Sequence, residues 1–127
     1  MTAVWEKGEL RSMAKLEGRL YGDFWHILED INEQVMKSVS ASLEEKSDFA
    51  VNDCLCAVRV YERYSFSGGN RLSLSVTLLQ AEGIIYLSAI TAGGSTAMIF
   101  KLNTMGEEAF LNALRPIMSK YGEKLAD

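Results

Sequence analysis

From residue 54 to residue 102 the chain runs through four stretches in which apolar and polar residues alternate, roughly 54–66, 70–79, 84–92 and 95–102. A period of two marks a strand with one buried face, and connections of only a few residues join neighbouring strands antiparallel. An antiparallel sheet is therefore the frame on which the rest must pack. Another strand is predicted at 13–20, where Ala14, Leu16, Gly18 and Leu20 alternate with Lys15, Glu17 and Arg19. A short one follows at 39–44, and Glu45 to Asp53 reads as a polar connection around Phe49.

Two segments carry helical spacing instead. Asp23 is placed to cap a helix whose apolar stripe is Phe24, Leu28, Ile31 and Val35, with His26 and Glu29 off the stripe. Thr104-Met105-Gly106-Glu107 is a capping box that opens a last helix, striped by Phe110, Leu114, Ile117 and Tyr121. Pro116 lies inside that stripe and should kink it, because its ring removes an amide and crowds the preceding turn. The order β-α-β(5)-α gives an α+β class, one curved antiparallel sheet with two helices on one face.

With 127 residues, 48% hydrophobic and 24% charged, the chain suits one globular domain. Residues 13–127 form that domain, and residues 1–12 read as an extension that a start at Met13 would leave out. They show no period, and Lys7-Gly8-Glu9 is what a purine-rich ribosome-binding sequence would encode. The net charge of −4 disfavours general attraction to nucleic acid or anionic membrane. No apolar run approaches the roughly 20 residues of a membrane span. The first residues have no secretion-signal pattern and two cysteines are too few for a disulfide framework, so a cytoplasmic location is expected.

Loop length sets the register, and register sorts the faces. A three-residue loop, Ser67-Gly68-Gly69, would pair Phe66 with Asn70 and put Val58, Val60 and Tyr64 on the side of Leu72, Val76 and Leu78. A four-residue loop from Gln80 to Gly83 would pair Leu78 with Ile85. A two-residue Gly93-Gly94 turn would pair Leu87 with Phe100. The opposite face would then carry Arg59, Tyr61, Arg63, Arg71, Tyr86 and Lys101 around a small-residue centre with Ser75, Ser88, Ile90 and Ile99.

On that register Glu62 lies among apolar neighbours, where an unpaired carboxylate is costly and its pKa would rise. Glu62 and Tyr64 are thus the ligand-binding candidates, in a pocket between sheet and helices. The plainer reading of Glu62 is a solvated strand end or a structural hydrogen bond. Arg59, Tyr61, Arg63, Arg71, Tyr86 and Lys101 form a patch that could take an anion or a single nucleic-acid strand. Exposed strands ordinarily carry such residues, however, and the flat centre with Ser75, Ser88, Ile90 and Ile99 suits packing against a second copy. Cys54 and Cys56 are expected on the core side as structural thiols, since a metal would need two more ligands and His26 is the one histidine. Both glycine pairs lead into strands, so neither is a phosphate loop. No metal or cofactor is expected.

The element order resembles the TATA-box-binding-protein-like and helix-grip folds, which implies an architecture but no function. The stretch Tyr61-Glu-Arg-Tyr-Ser-Phe-Ser-Gly-Gly-Asn-Arg71, with Gly93-Gly94-Ser95 and Phe100-Lys-Leu-Asn-Thr104, is similar to a small bacterial family of uncharacterised proteins that brings no activity with it. The favoured reading is a noncatalytic domain that binds a small ligand or a protein and self-associates through the outer sheet face. The alternatives are a small enzyme with Glu62 as acid/base, and nucleic-acid binding through the outer face.

Overall fold

The computed structural model describes residues 13–64, 71–93 and 110–122. The predicted strand at 95–102 with Ile99 and Lys101, the capping box at 104–107, the turns at 67–69 and 93–94, and the extension 1–12 fall wholly or partly outside them. The elements are β1 (Met13–Leu20), α1 (Phe24–Met36), β2 (Ser42–Val51), β3 (Cys54–Tyr64), β4 (Arg71–Ala81), β5 (Ile84–Gly93) and α2 (Arg115–Tyr121). Among the described residues, five strands form one antiparallel sheet in the order β1-β5-β4-β3-β2. The class is α+β, as the patterning indicates.

β1 and β2 are the two edges, so α1 must carry the chain across the whole sheet. Its 13 residues suit that task. They rise about 20 Å, against about 19 Å for four inter-strand gaps. Asp23 caps its start, Oδ2 accepting the His26 N–H at 2.9 Å. The stripe falls where its spacing puts it, with Phe24, Leu28, Ile31 and Val35 buried and Ile27 beside them.

Near the C-terminus Pro116 ends one helical segment and starts another. The Ala113 and Leu114 amides donate three residues back, to Phe110 and Leu111, and Pro116 falls in the first turn of α2. A proline tolerates that position because a first-turn amide has no helical acceptor. The break lets Phe110, Leu111, Leu114 and Ile117 all enter one core with α1 and the inner sheet face.

Three expectations need correction. β2 is not a short strand followed by a polar connection; it runs from Ser42 to Val51, with a bulge at Glu44 and a turn at Asn52-Asp53. Leu43 to Val51 are all exposed. An edge strand with neither face buried has nothing to impose a period of two on its sequence.

β4 and β5 turn through two residues, Glu82-Gly83, both at positive φ, pairing Leu78 with Leu87 instead of Ile85. A slip of two residues preserves the faces, so Leu72, Leu74, Val76, Leu78, Ile85, Leu87 and Ala89 are buried as expected.

The β3–β4 register differs by one residue, pairing Tyr61 with Leu74 and Ala57 with Leu78. A one-residue slip turns a whole strand over. Ala57, Arg59, Tyr61 and Arg63 therefore face the helices, while Cys54, Cys56, Val58, Val60, Glu62 and Tyr64 face outward.

Candidate functional site

With β3 turned over, the outer sheet face changes character. Across the strands one row reads Arg19, Tyr86, Leu79, Cys56, Phe49 from the β1 edge to the β2 edge. The second row after it, with one row between, reads Lys15, Ile90, Ser75, Val60, Glu45. Val51, Phe49, Tyr86, Ile90 and Leu79 are 63%, 58%, 42%, 39% and 38% exposed. Val58, Val60, Cys54, Cys56 and Ile84 beside them are half-buried. Ser75, Ser88 and Ile90 lie on this face as expected, as do Arg71 and Tyr86.

Phe49, Val51 and Leu79 are the interface candidates that sequence reasoning missed. Two signals pointed to them. Phe49 and Val51 are apolar residues within an otherwise polar run, and adjacent Leu78-Leu79 breaks the alternation, so one leucine of the pair must face out.

Glu62 is not stranded in the core. It sits at the end of the outer face, opposite Ser73, in an ion pair with Arg71. The Arg71 guanidinium also lies 5.9 Å from the ring centre of Tyr64. The Tyr64 amide donates to Ser40 Oγ at 3.1 Å. Glu62, Tyr64, Arg63 and Arg71 do gather, with Ser40, Ser42 and Glu44, around a polar pocket of ≈ 210 Å³. The carboxylate is thus paired and partly open to solvent, instead of lying unpaired among apolar neighbours. Cys54 and Cys56 are half-buried on the outer face, not core thiols.

Arg59, Tyr61 and Arg63 leave the outer patch for the helix side. Tyr61 is fully buried and its hydroxyl donates to Asn32 Oδ1 on α1 at 2.9 Å. Burial pushes its pKa up to about 12 against the pull of Arg59, so the phenol remains a neutral donor at any working pH. Arg59 Nη1 donates to Asp48 Oδ1 at 2.7 Å and to the Val58 carbonyl at 2.9 Å. Arg63 Nη1 donates to Ser38 Oγ at 2.6 Å, and its guanidinium lies 4.8 Å from the centre of the Phe110 ring. Burial pulls the Arg63 pKa down. These long side chains bury their stems and keep polar ends within reach of partners. That is why sorting by hydrophobicity put Val58 and Val60 inside in their place.

β2 extends beyond the cover of the helices. The gap between it and α1 is an open cleft of ≈ 860 Å³, with Trp25, Leu43, Asn32, Lys46 and Arg59 in its lining and Asp23, Glu29, Asp30 and Glu33 around it.

Asp30 at the cleft margin also fastens α2 to α1. It accepts from the Tyr121 hydroxyl, lies 3.4 Å from Lys120 Nζ and is 3.7 Å from His26 Nε2. The Tyr121 bond leads the effects that lower its pKa, with Lys120 and His26 adding and partial desolvation opposing. A carboxylate more acidic in the folded chain than in the unfolded one stabilises fully above its unfolded pKa and loses that contribution as pH falls through the folded one. Melting temperature is therefore expected to fall as acid is added below about pH 4. Asp30→Asn should be less stable at pH 7 and show a shallower acid slope in a pH series of thermal melts.

Among the described residues no three His, Cys, Asp or Glu side chains cluster as metal ligands, and no helix is long and apolar enough to cross a membrane.

A family of unknown function (DUF6054) matches residues 13–122, and the chain belongs to it. The resemblance of the Tyr61–Arg71 stretch to an uncharacterised family is thereby borne out. Comparison with curated proteins gives no match. Among solved structures, the crystal structure of PA94, a protein of unknown function from Pseudomonas aeruginosa, is similar over 93% of this chain and 74% of its own, at 13% identity and a TM-score of 0.51. At that identity the likeness is one of fold.

Proposed function

We propose that this member of the DUF6054 family is a noncatalytic binding domain that self-associates through the outer face of its sheet. The observation that carries the reading is the apolar band of Phe49, Cys56, Leu79 and Tyr86, continued by Val58, Val60 and Ile90. Large apolar side chains left this exposed on neighbouring strands favour an interaction site. The flat Ser75, Thr77 and Ser88 centre lets a second sheet approach to the usual ~10 Å. Nucleic-acid binding loses its main support now that Arg59 and Arg63 point to the helices. An enzyme based on Glu62 loses its buried acid.

We further read the element order as helix-grip-like or TATA-box-binding-protein-like, and the protein as bacterial, in keeping with the Pseudomonas neighbour. Two half-buried free thiols, Cys54 and Cys56, suit a reducing, cytoplasmic compartment. The cleft between α1 and β2 supports a second, compatible reading as the seat of a small ligand, because Trp25 offers an exposed ring beside Glu29 and Glu33.

Sedimentation equilibrium tests self-association. The wild type should be dimeric at tens of micromolar, and Leu79→Asp should raise the dimer Kd at least tenfold while dilute samples keep the wild-type circular dichroism. A wild type that stays monomeric at high micromolar concentration overturns the reading.

A further inference from the structure

We infer that the second copy is placed by a two-fold axis running parallel to β4, so that Lys15 of one protomer faces Glu45 of its partner. The inference rests on the self-association reading and adds to it the arrangement of the two chains.

β4 is the central strand of the five among the described residues. A two-fold axis lying in the interface along β4 brings β1 of one copy over β2 of the other and β5 over β3, and keeps every row over itself. In the row Lys15, Ile90, Ser75, Val60, Glu45 the facing pairs become Lys15 with Glu45, Ile90 with Val60, and Ser75 with Ser75. Opposite charges meet at both edges, apolar side chains meet inside them, and the smallest residue sits on the axis. In the row Arg19, Tyr86, Leu79, Cys56, Phe49 the pairs become Arg19 with Phe49, Tyr86 with Cys56, and Leu79 with Leu79. A guanidinium over an aromatic ring is again favourable.

The competing axis runs across the strands through the row between, at Glu17 and Ser88. It lays β1 on β1, so Lys15 faces Arg19 and Glu17 faces Glu17 at one edge. At the other edge Glu45 faces Phe49. Like charges opposed in this way disfavour that placement, although Lys15 also lies 3.9 Å from Glu17 of its own chain.

The area suits a stable pair. Five strands of about eight residues present roughly 24 Å by 27 Å, about 650 Å² per copy, of the order that a standard interface uses. At the common inter-sheet angle of about −30°, edge strands shift by roughly 5 Å, less than one row, which a lysine and a glutamate can span.

Charge reversal tests the axis. Lys15→Glu alone and Glu45→Lys alone each place like charges at two symmetry-related points and should raise the dimer Kd roughly tenfold. The double variant should return to within about threefold of wild type. Mixing the two single variants should give a heterodimer as tight as wild type, since all of its edge pairs attract. If the wild type dimerises and Leu79→Asp disrupts it, yet the single reversals leave the Kd unchanged or the double variant is weaker than either, the axis is wrong and the interface stands. If the wild type does not dimerise at all, the self-association reading itself falls.

Discussion

Tyr61→Ala is expected to cost about 3–5 kcal/mol of folding stability, whereas Glu62→Ala should cost no more than ~1 kcal/mol. The two residues are chain neighbours, and the contrast comes entirely from the pleat. Tyr61 points to the helices, fully buried, with its hydroxyl on Asn32 of α1. Truncation opens a cavity between sheet and helix and leaves the Asn32 oxygen without its donor. Glu62 points outward, its side chain 26% exposed, and pairs with an Arg71 side chain that is 60% exposed. A pair so open to water contributes little, because solvent screens it and two long side chains must be held still. Urea unfolding of both variants measures the difference. The reverse ranking would restore the register in which Val60 and Glu62 face the core, and with it the acid site that the structure removes.

The same two residues show where the sequence is legible. Elements with one buried and one wet face declare themselves: α1 through Phe24, Leu28, Ile31 and Val35, β4 through Leu72, Leu74, Val76 and Leu78, and the break at Pro116 through a missing amide. β3 does not, because its faces are nearly balanced in sequence. Val58 and Val60 compete for the core with Arg59, Tyr61 and Arg63, whose apolar area is as large but ends in polar atoms. Hydropathy gives the core to the valines; packing gives it to the longer chains, since Asn32, Asp48, Ser38 and Phe110 are positioned to receive them. None of those partners is near in sequence, so no local rule could have found them. β2 is illegible for a different reason, having no buried face at all. Both misreadings bear on the candidate site, since together they hid an apolar surface that only the paired strands assemble.

Gly93→Ala should lower stability by about 3 kcal/mol, on the order of 10 °C in melting temperature for a domain of this size. Gly93 pairs with Leu72 at the end of β5 and adopts φ 126, a backbone conformation that residues with a Cβ rarely enter. A Cβ there would lie 2.4 Å from the Arg71 carbonyl oxygen and 3.2 Å from the Leu72 Cα. Both are backbone atoms of β4, so no rotamer change relieves the contact and the strands must part. The strain would reach the outer face, because Arg71 holds the ion pair with Glu62 and stacks over Tyr64. Gly83→Ala is the internal control. Its φ of 79 is also positive, but nothing lies within 4 Å of the added carbon, so only the dihedral preference of about 1 kcal/mol is lost. Thermal melts of the two variants separate close approach from backbone preference. Equal losses would mean that β4 and β5 do not meet so closely at Gly93.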